Sequence, residues 1–139
     1  MASGTYNTFR TKIMQKSIDM VNDTIKVCLL TSSYTFNPDH TTYASLTNEV
    51  SSSGTGYTTG GTNLAGTKSV TQNDTTDTGV FTTSAQHDFA GLTCSVQYAV
   101  LYDSTVSNAL IACVDLGAQS LTAATLSLVW SGTGIITIA

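Results

Sequence analysis

Residues 95–103 read Ser95-Val96-Gln97-Tyr98-Ala99-Val100-Leu101-Tyr102-Asp103. Val96, Tyr98, Val100 and Tyr102 fall at every second position, with Ser95 and Gln97 between the first of them. A period of two is the spacing of side chains that share one face of a β-strand. The same period recurs on both sides of this stretch. Ile25, Val27 and Leu29 alternate upstream. Leu110, Ala112, Val114 and Leu116 alternate downstream, with Cys113 and Asp115 opposite, and Leu126, Leu128 and Trp130 follow against Thr125 and Ser127. Ile136 and Ile138 close the chain. Thr at the polar positions adds β-branched stiffness that suits a pleated surface.

Turn-forming residues separate these runs at Asp103 to Asn108, at Gly117 to Ala124 and at Ser131-Gly132-Thr133-Gly134. Thr62 to Thr71 reads as a weakly hydrophobic strand, and Val80-Phe81 and His87 to Phe89 as short ones. Ser32 to Gly61 is a long connection that starts at Asn37-Pro38-Asp39 and ends among Gly54, Gly56, Gly60 and Gly61. Tyr43, Leu46 and Val50 are its expected anchors. Seven or eight short strands joined by long crossovers predict an all-β fold, a jelly-roll or Greek-key β-sandwich. Residues 1–20 differ. Phe9 and Ile13 stand at i, i+4 with Met14 beside them, while Lys12 and Lys16 fall on another face. This predicts a short amphipathic helix, capped by Thr5 or Asn7 and packed on something larger. The expected organisation is an N-terminal arm over residues 1–20 and one sandwich domain over residues 21–139.

Of the 139 residues, 41% are hydrophobic and only 10% are charged, against about 25% charged in an ordinary soluble domain. Thr and Ser fill 26 and 16 positions, and Glu49 and Arg10 are the sole residues of their types. Apolar runs are too short for a membrane-spanning helix. No charged segment followed by an apolar one opens the chain, so a signal peptide is not expected. Net charge is −4. Residues 1–26 hold four basic residues against Asp19 and Asp23, a net +2, and the remainder holds Lys68 against seven acids, a net −6. Four cations in one small arm make a poor nucleic-acid footprint. They suit docking on an acidic surface of a partner or of a neighbouring copy.

Candidate chemistry is sparse. His87 precedes Asp88, but adjacent strand residues point to opposite faces. His40 and His87 with scattered carboxylates lack the spacing of a metal site, so no metal and no cofactor is expected. No G-x-S-x-G elbow occurs. Asn73-Asp74 with Asp77 reads as a turn before it reads as a calcium loop. The Gly54 to Gly61 segment lacks the Lys of a phosphate loop and reads as backbone that needs positive φ. Cys28, Cys94 and Cys113 each sit among apolar residues and read as reduced core thiols. Tyr98, Tyr102 and Trp130 read as core. Lys and Glu, which keep monomers soluble and blunt strand edges, are the residue types that protein interfaces also lack. A β domain covered in Thr, Ser, Asn and Gly is suited to being covered by other chains, which favours a subunit of an assembly over an enzyme.

Asp23-Thr-Ile-Lys-Val-Cys-Leu-Leu-Thr-Ser-Ser-Tyr34 resembles the first strand of a family of small tailed-phage virion proteins. Thr47-Asn-Glu-Val50, Gly54-Thr-Gly-Tyr57-Thr-Thr-Gly60-Gly61, Tyr98-Ala-Val-Leu-Tyr102-Asp, and Val129-Trp130 with Gly134-Ile135-Ile136 are similar to that family as well. So is the short helix ahead of the first strand. The resemblance spans nearly the whole chain, and Cys28 stands where the family has a smaller residue such as Ala. The family resembled is the capsid cement, or decoration, proteins of short-tailed double-stranded-DNA phages. It implies a jelly roll that clamps neighbouring major capsid protein subunits on the outside of the head. It also implies a homo-oligomer, dimer or trimer, made in the bacterial cytoplasm, with no enzymatic activity and no nucleic-acid or membrane partner. The expected partner contacts are Arg10, Lys12, Lys16, Tyr43 and Tyr57. The rivals are a tail, fibre or head–tail component of the same phages, a carbohydrate-binding module with an exposed aromatic platform, and a β-sandwich hydrolase that sets a histidine beside a Ser or a carboxylate pair.

Overall fold

The computed structural model describes residues 3–139. Strands form 47% of the chain and helix 8%, in two antiparallel sheets with one short helix. The elements run β1 (Gly4–Thr5), α1 (Asn7–Met14), β2 (Ile25–Leu30), a single 3-10 turn (Tyr43–Ser45), β3 (Thr62–Asn63), β4 (Lys68–Asn73), β5 (Thr78–Thr83), β6 (His87–Asp103), β7 (Ala109–Leu128) and β8 (Ile136–Ile138). One sheet has the order β1-β7-β6-β2-β3 and the other β4-β5-β8.

Alternation in β2 explains how the larger sheet is buried twice. Ile25, Val27 and Leu29 enter a core shared with Phe81 and Ile136 of the smaller sheet. Cys28 and Leu30 point to the opposite side and pack with Tyr98, Val100, Tyr102, Leu110 and Cys113. That second face is roofed by the long connection, whose Tyr34, Phe36, Tyr43 and Leu46 cover it. The connection then rounds the sheet, because Val50 and Tyr57 belong to the first core. Tyr43, Leu46 and Val50 do anchor the segment, on opposite faces.

Residues 87–128 depart from the predicted short strands. β6 and β7 form one hairpin of 17 and 20 residues, interrupted by four register shifts. The expected turn at Gly117 to Ala124 does not turn the chain. Leu121 and Gln119 pair with Cys94 and Val96, and Gly117 (φ 70) and Ala123 (φ 47) sit in the shifts, so the extra residues are absorbed as bulges. Bulges also reset the faces. Val96 joins the first core while Tyr98, Val100 and Tyr102 join the second. Leu110 faces the second core, whereas Ala112 packs with the first after the shift beside Ile111. The expected strand at Thr62 to Thr71 splits into β3 and β4, which lie in different sheets.

The N-terminal segment is built into this frame. β1 pairs with β7, and Phe9, Ile18 and Met20 are buried in the first core. Neither Thr5 nor Asn7 caps α1. Tyr6 holds that position without a side-chain cap, and the Asn7 amide donates instead to the Pro38 carbonyl of the long connection at 2.9 Å. The helix ends with Lys16 at φ 59. Its amide donates to the Ile13 carbonyl and that of Ser17 to the Lys12 carbonyl, the pair of bonds that closes a Schellman motif.

Candidate partner-binding surfaces

The long connection is held by Glu49, the one glutamate in the chain. Its Oε1 accepts from the Tyr57 hydroxyl at 2.6 Å and from the Gly60 amide at 2.7 Å, and its Oε2 accepts from the Tyr43 hydroxyl. Tyr43 stacks on Tyr102 with ring centres 5.0 Å apart, and Tyr102 donates to the Gly60 carbonyl at 2.7 Å. Burial, reinforced by the bond to Glu49, pushes the Tyr57 and Tyr43 hydroxyls far up. They therefore stay protonated and act as donors. Tyr43 and Tyr57 thus converge on one half-buried carboxylate. Tyr57 is 3% exposed and presents almost nothing to a partner, while Tyr43 keeps part of its ring at the surface. Glu49 gave a sequence signal that alternation does not weigh: the one glutamate of the chain, in a loop that carries Tyr34, Tyr43 and Tyr57.

Arg10, Lys12 and Lys16 do not join this cluster. They lie on α1 and its C-terminal cap. Arg10 is exposed, and it donates to Thr5 Oγ1 at 3.0 Å and to Asn7 Oδ1 at 3.4 Å. Lys12 stands in the last turn of α1, whereas Lys16 lies past the helix end in the left-handed region, so the two do not share a helical face. Arg10 lines a groove of about 350 Å³ between α1 and β8, with Phe9, Ile13, Met14 and Ile138.

His87 is 2% exposed. Its Nδ1 accepts from the Ala65 amide at 3.1 Å, which leaves Nε2–H to donate to Thr62 Oγ1 at 2.9 Å. Burial holds its pKa below the usual histidine range, partly offset by Asp88. A neutral ring satisfied at both nitrogens ties β6 to the β3 segment. His40 Nδ1 lies 3.2 Å from the Tyr34 hydroxyl. Neither ring is hydrogen-bonded to a serine or a carboxylate. Among the described residues no group of three or more His, Cys, Asp or Glu is placed to hold a metal ion. The three cysteines are free, and burial lifts the Cys113 thiol to about 12.

Asp103 is completely buried. Its Oδ1 accepts from the Thr105 and Val106 amides at 2.9 and 3.1 Å, while Oδ2 has no donor. Burial, with the neighbouring Asp23 carboxyl adding to it, raises its pKa to about 6.

The outer half of the β6–β7 hairpin carries the least charge. From Leu116 to Ala139 no side chain is ionisable, yet Gly117 to Ser120 are all exposed. The curl of this ribbon forms a cleft of about 380 Å³ lined by Val114, Leu116, Leu126, Leu128 and Trp130. The Trp130 indole N–H is buried there without an acceptor. No described aromatic side chain is exposed. Among the described residues no helix is long and apolar enough to cross a membrane. Comparison with family models, with curated proteins and with solved structures finds no match to this chain.

Proposed function

We propose that this chain is a non-enzymatic structural protein of a tailed-phage virion, a cement protein that binds the outside of the head and clamps neighbouring major capsid protein subunits. The observation that carries this is the uncharged run from Leu116 to Ala139, much of it exposed on a long strand. Hydroxyl and small side chains lose less conformational entropy than Lys or Glu when a partner covers them. Strand surface free of charge accepts a neighbouring chain without desolvating ions. The resemblance of residues 23–34, 47–50, 54–61 and 98–103 to the cement family supports the same assignment, and so do Lys12 and Lys16, on a helix and its C-terminal cap, in an otherwise acidic chain.

The jelly-roll assignment belongs to this proposal. Two antiparallel sheets around one core and the non-sequential neighbours β2 and β6 support it. The division into five and three strands departs from two matched four-stranded sheets. The buried aromatic side chains weigh against a carbohydrate platform, and the engaged His87 ring weighs against a hydrolase.

A cement protein stabilises a shell because it binds the assembled lattice better than free subunits. Density for this chain on intact heads, in a copy number comparable to that of the capsid lattice, is the expected result. A few copies confined to the tail would assign it to the tail instead. Replacing Lys12 and Lys16 by Glu is expected to lower head occupancy, and unchanged occupancy would remove the helix from the contact.

A further inference from the structure

The smaller sheet leaves both of its edges open. Its order is β4-β5-β8, so β4 and β8 each have one unpaired side. Soluble proteins protect such edges with Lys, Pro or a covering segment. β8 reads Ile136-Thr137-Ile138 and has no such residue. β4 has only Lys68, whose ammonium is engaged by the Asp23 carbonyl. The core-facing side of the sheet also runs past its cover at both edges. Val70, Phe81 and Ile136 are directly opposite one another across the three strands, so they share a face. Phe81 and Ile136 are buried, but Val70 is 55% exposed, and Ile138, two residues from Ile136, is 48% exposed.

The ends of these edges carry opposite charge. Asn73 pairs with Thr78, and Gly79 pairs with Ile138, so the C-terminal ends of β4 and β8 lie at the same end of the sheet. The turn leaving β4 there carries Asp74 and Asp77. The groove beside that end of β8 carries Arg10, with Met14 80% exposed in its wall. Arg10 spends two of its five N–H donors on Thr5 and Asn7.

We propose that the β4 edge of one copy adds to the β8 edge of a second copy, seated in the groove between β8 and α1. β4 and β8 are both antiparallel to β5, so copies placed side by side in the same sense make a parallel pair. In that arrangement Asp74 and Asp77 meet Arg10 of the second copy, and Val70 continues the apolar row beyond Ile136 and Ile138. Main-chain hydrogen bonds supply the attraction and the side-chain row supplies the register. Symmetric alternatives fare worse. Joining β8 to β8 antiparallel sets each Arg10 beside the N-terminal end of the other β8, where the chain from Leu116 to Ala139 supplies no acid. Joining β4 to β4 antiparallel sets Asp74 and Asp77 against the Lys68 end, where Asp19 and Asp23 outnumber the lysine. A contact between two different surfaces leaves one of each free, so it closes a ring or grows a filament.

This inference concerns the isolated chain and does not rest on the capsid assignment. It is tested by sedimentation and native mass spectrometry of the purified protein, with Val70→Lys and Ile138→Lys as edge variants. Both positions are exposed, and matched thermal unfolding checks that each variant folds. The wild type is expected to be oligomeric at high micromolar concentration and each variant monomeric. An equimolar mixture of the two variants is expected to give a dimer containing one copy of each, because each retains the edge the other lacks. Arg10→Asp combined with Asp74→Arg is expected to restore assembly that either change alone weakens. A monomeric wild type, oligomers that persist in either edge variant, or a mixture that stays monomeric would overturn the proposal.

Discussion

The Tyr57 hydroxyl, at the end of the long connection, donates to Glu49 Oε1 at 2.6 Å and receives the Leu29 amide of β2 at 3.1 Å. One buried phenol thus joins the only glutamate to the central sheet. Glu49→Ala removes the acceptor of two tyrosines and one amide at once. The expected loss is about 2–4 kcal/mol of unfolding free energy, as for several hydrogen bonds to one half-buried carboxylate. Glu49→Gln is expected to lose less. Denaturant titration measures the loss, and faster amide exchange over residues 41–61 localises it.

Gly61 approaches β2 too closely for any side chain. Its φ is +72, and a Cβ there would lie 1.7 Å from the Val27 carbonyl oxygen. Gly61→Ala is expected to cost about 3 kcal/mol or more, because both the backbone conformation and the contact are violated. Loss of soluble expression or a much lower melting temperature is the readout. Gly54→Ala, with nothing within 4 Å of its Cβ position, is the milder control.

Lys16→Gly is expected to stabilise the fold by about 0.5–1 kcal/mol. Lys16 occupies the left-handed region at φ 59, where a Cβ is disfavoured and glycine is not. A higher denaturation midpoint with an unchanged slope checks this.

Two groups make stability depend on pH with opposite signs. The folded His87 has a depressed pKa, so the unfolded chain binds the proton more readily. Its contribution is complete above the unfolded histidine value of about 6.5 and falls as the pH drops below that. His87→Gln is expected to be less stable at pH 8 and to lose this acid-side slope.

Asp103 acts in the reverse sense. Its folded pKa of about 6 lies above the ordinary 3.8, so stability falls as the pH rises through that window and stays reduced at neutral pH. Asp103→Asn keeps an acceptor for the Thr105 and Val106 amides and removes the buried charge. It is expected to gain about 1–3 kcal/mol at pH 7.5 and nothing at pH 3.5. Unfolding curves at the two pH values measure the difference.

Alternation at Ile25, Val27 and Leu29, and at Leu126, Leu128 and Trp130, carried into the observed core because the period of a strand is a property of neighbouring residues. It misplaced Val96 and Leu110, where bulges shift the register. A bulge depends on how two distant segments align, and a run of apolar letters is silent about that. The stretch from Gly117 to Ala124 contains turn residues, yet β6 is long enough to hold it in the ladder. Of the expected contact residues, helical spacing groups Lys12 with Lys16, but α1 ends at Met14 and Lys16 turns into the left-handed region beyond it. Tyr57 carries a strand-like letter but lies under the loop that Glu49 gathers.

Short-range chemistry accounts for the mostly β composition, the helix around Phe9 and Ile13, the anchors of the long connection and the scarcity of surface charge. Each follows from residues within a few positions of one another. The folded arrangement alone settles that both faces of the larger sheet are buried, that Asp103 is internal and Glu49 gathers the long connection, and that β4 and β8 keep open edges with Asp74 and Arg10 at matching ends. Those relations join segments tens of residues apart, and they arise only when strand pairing brings the segments together.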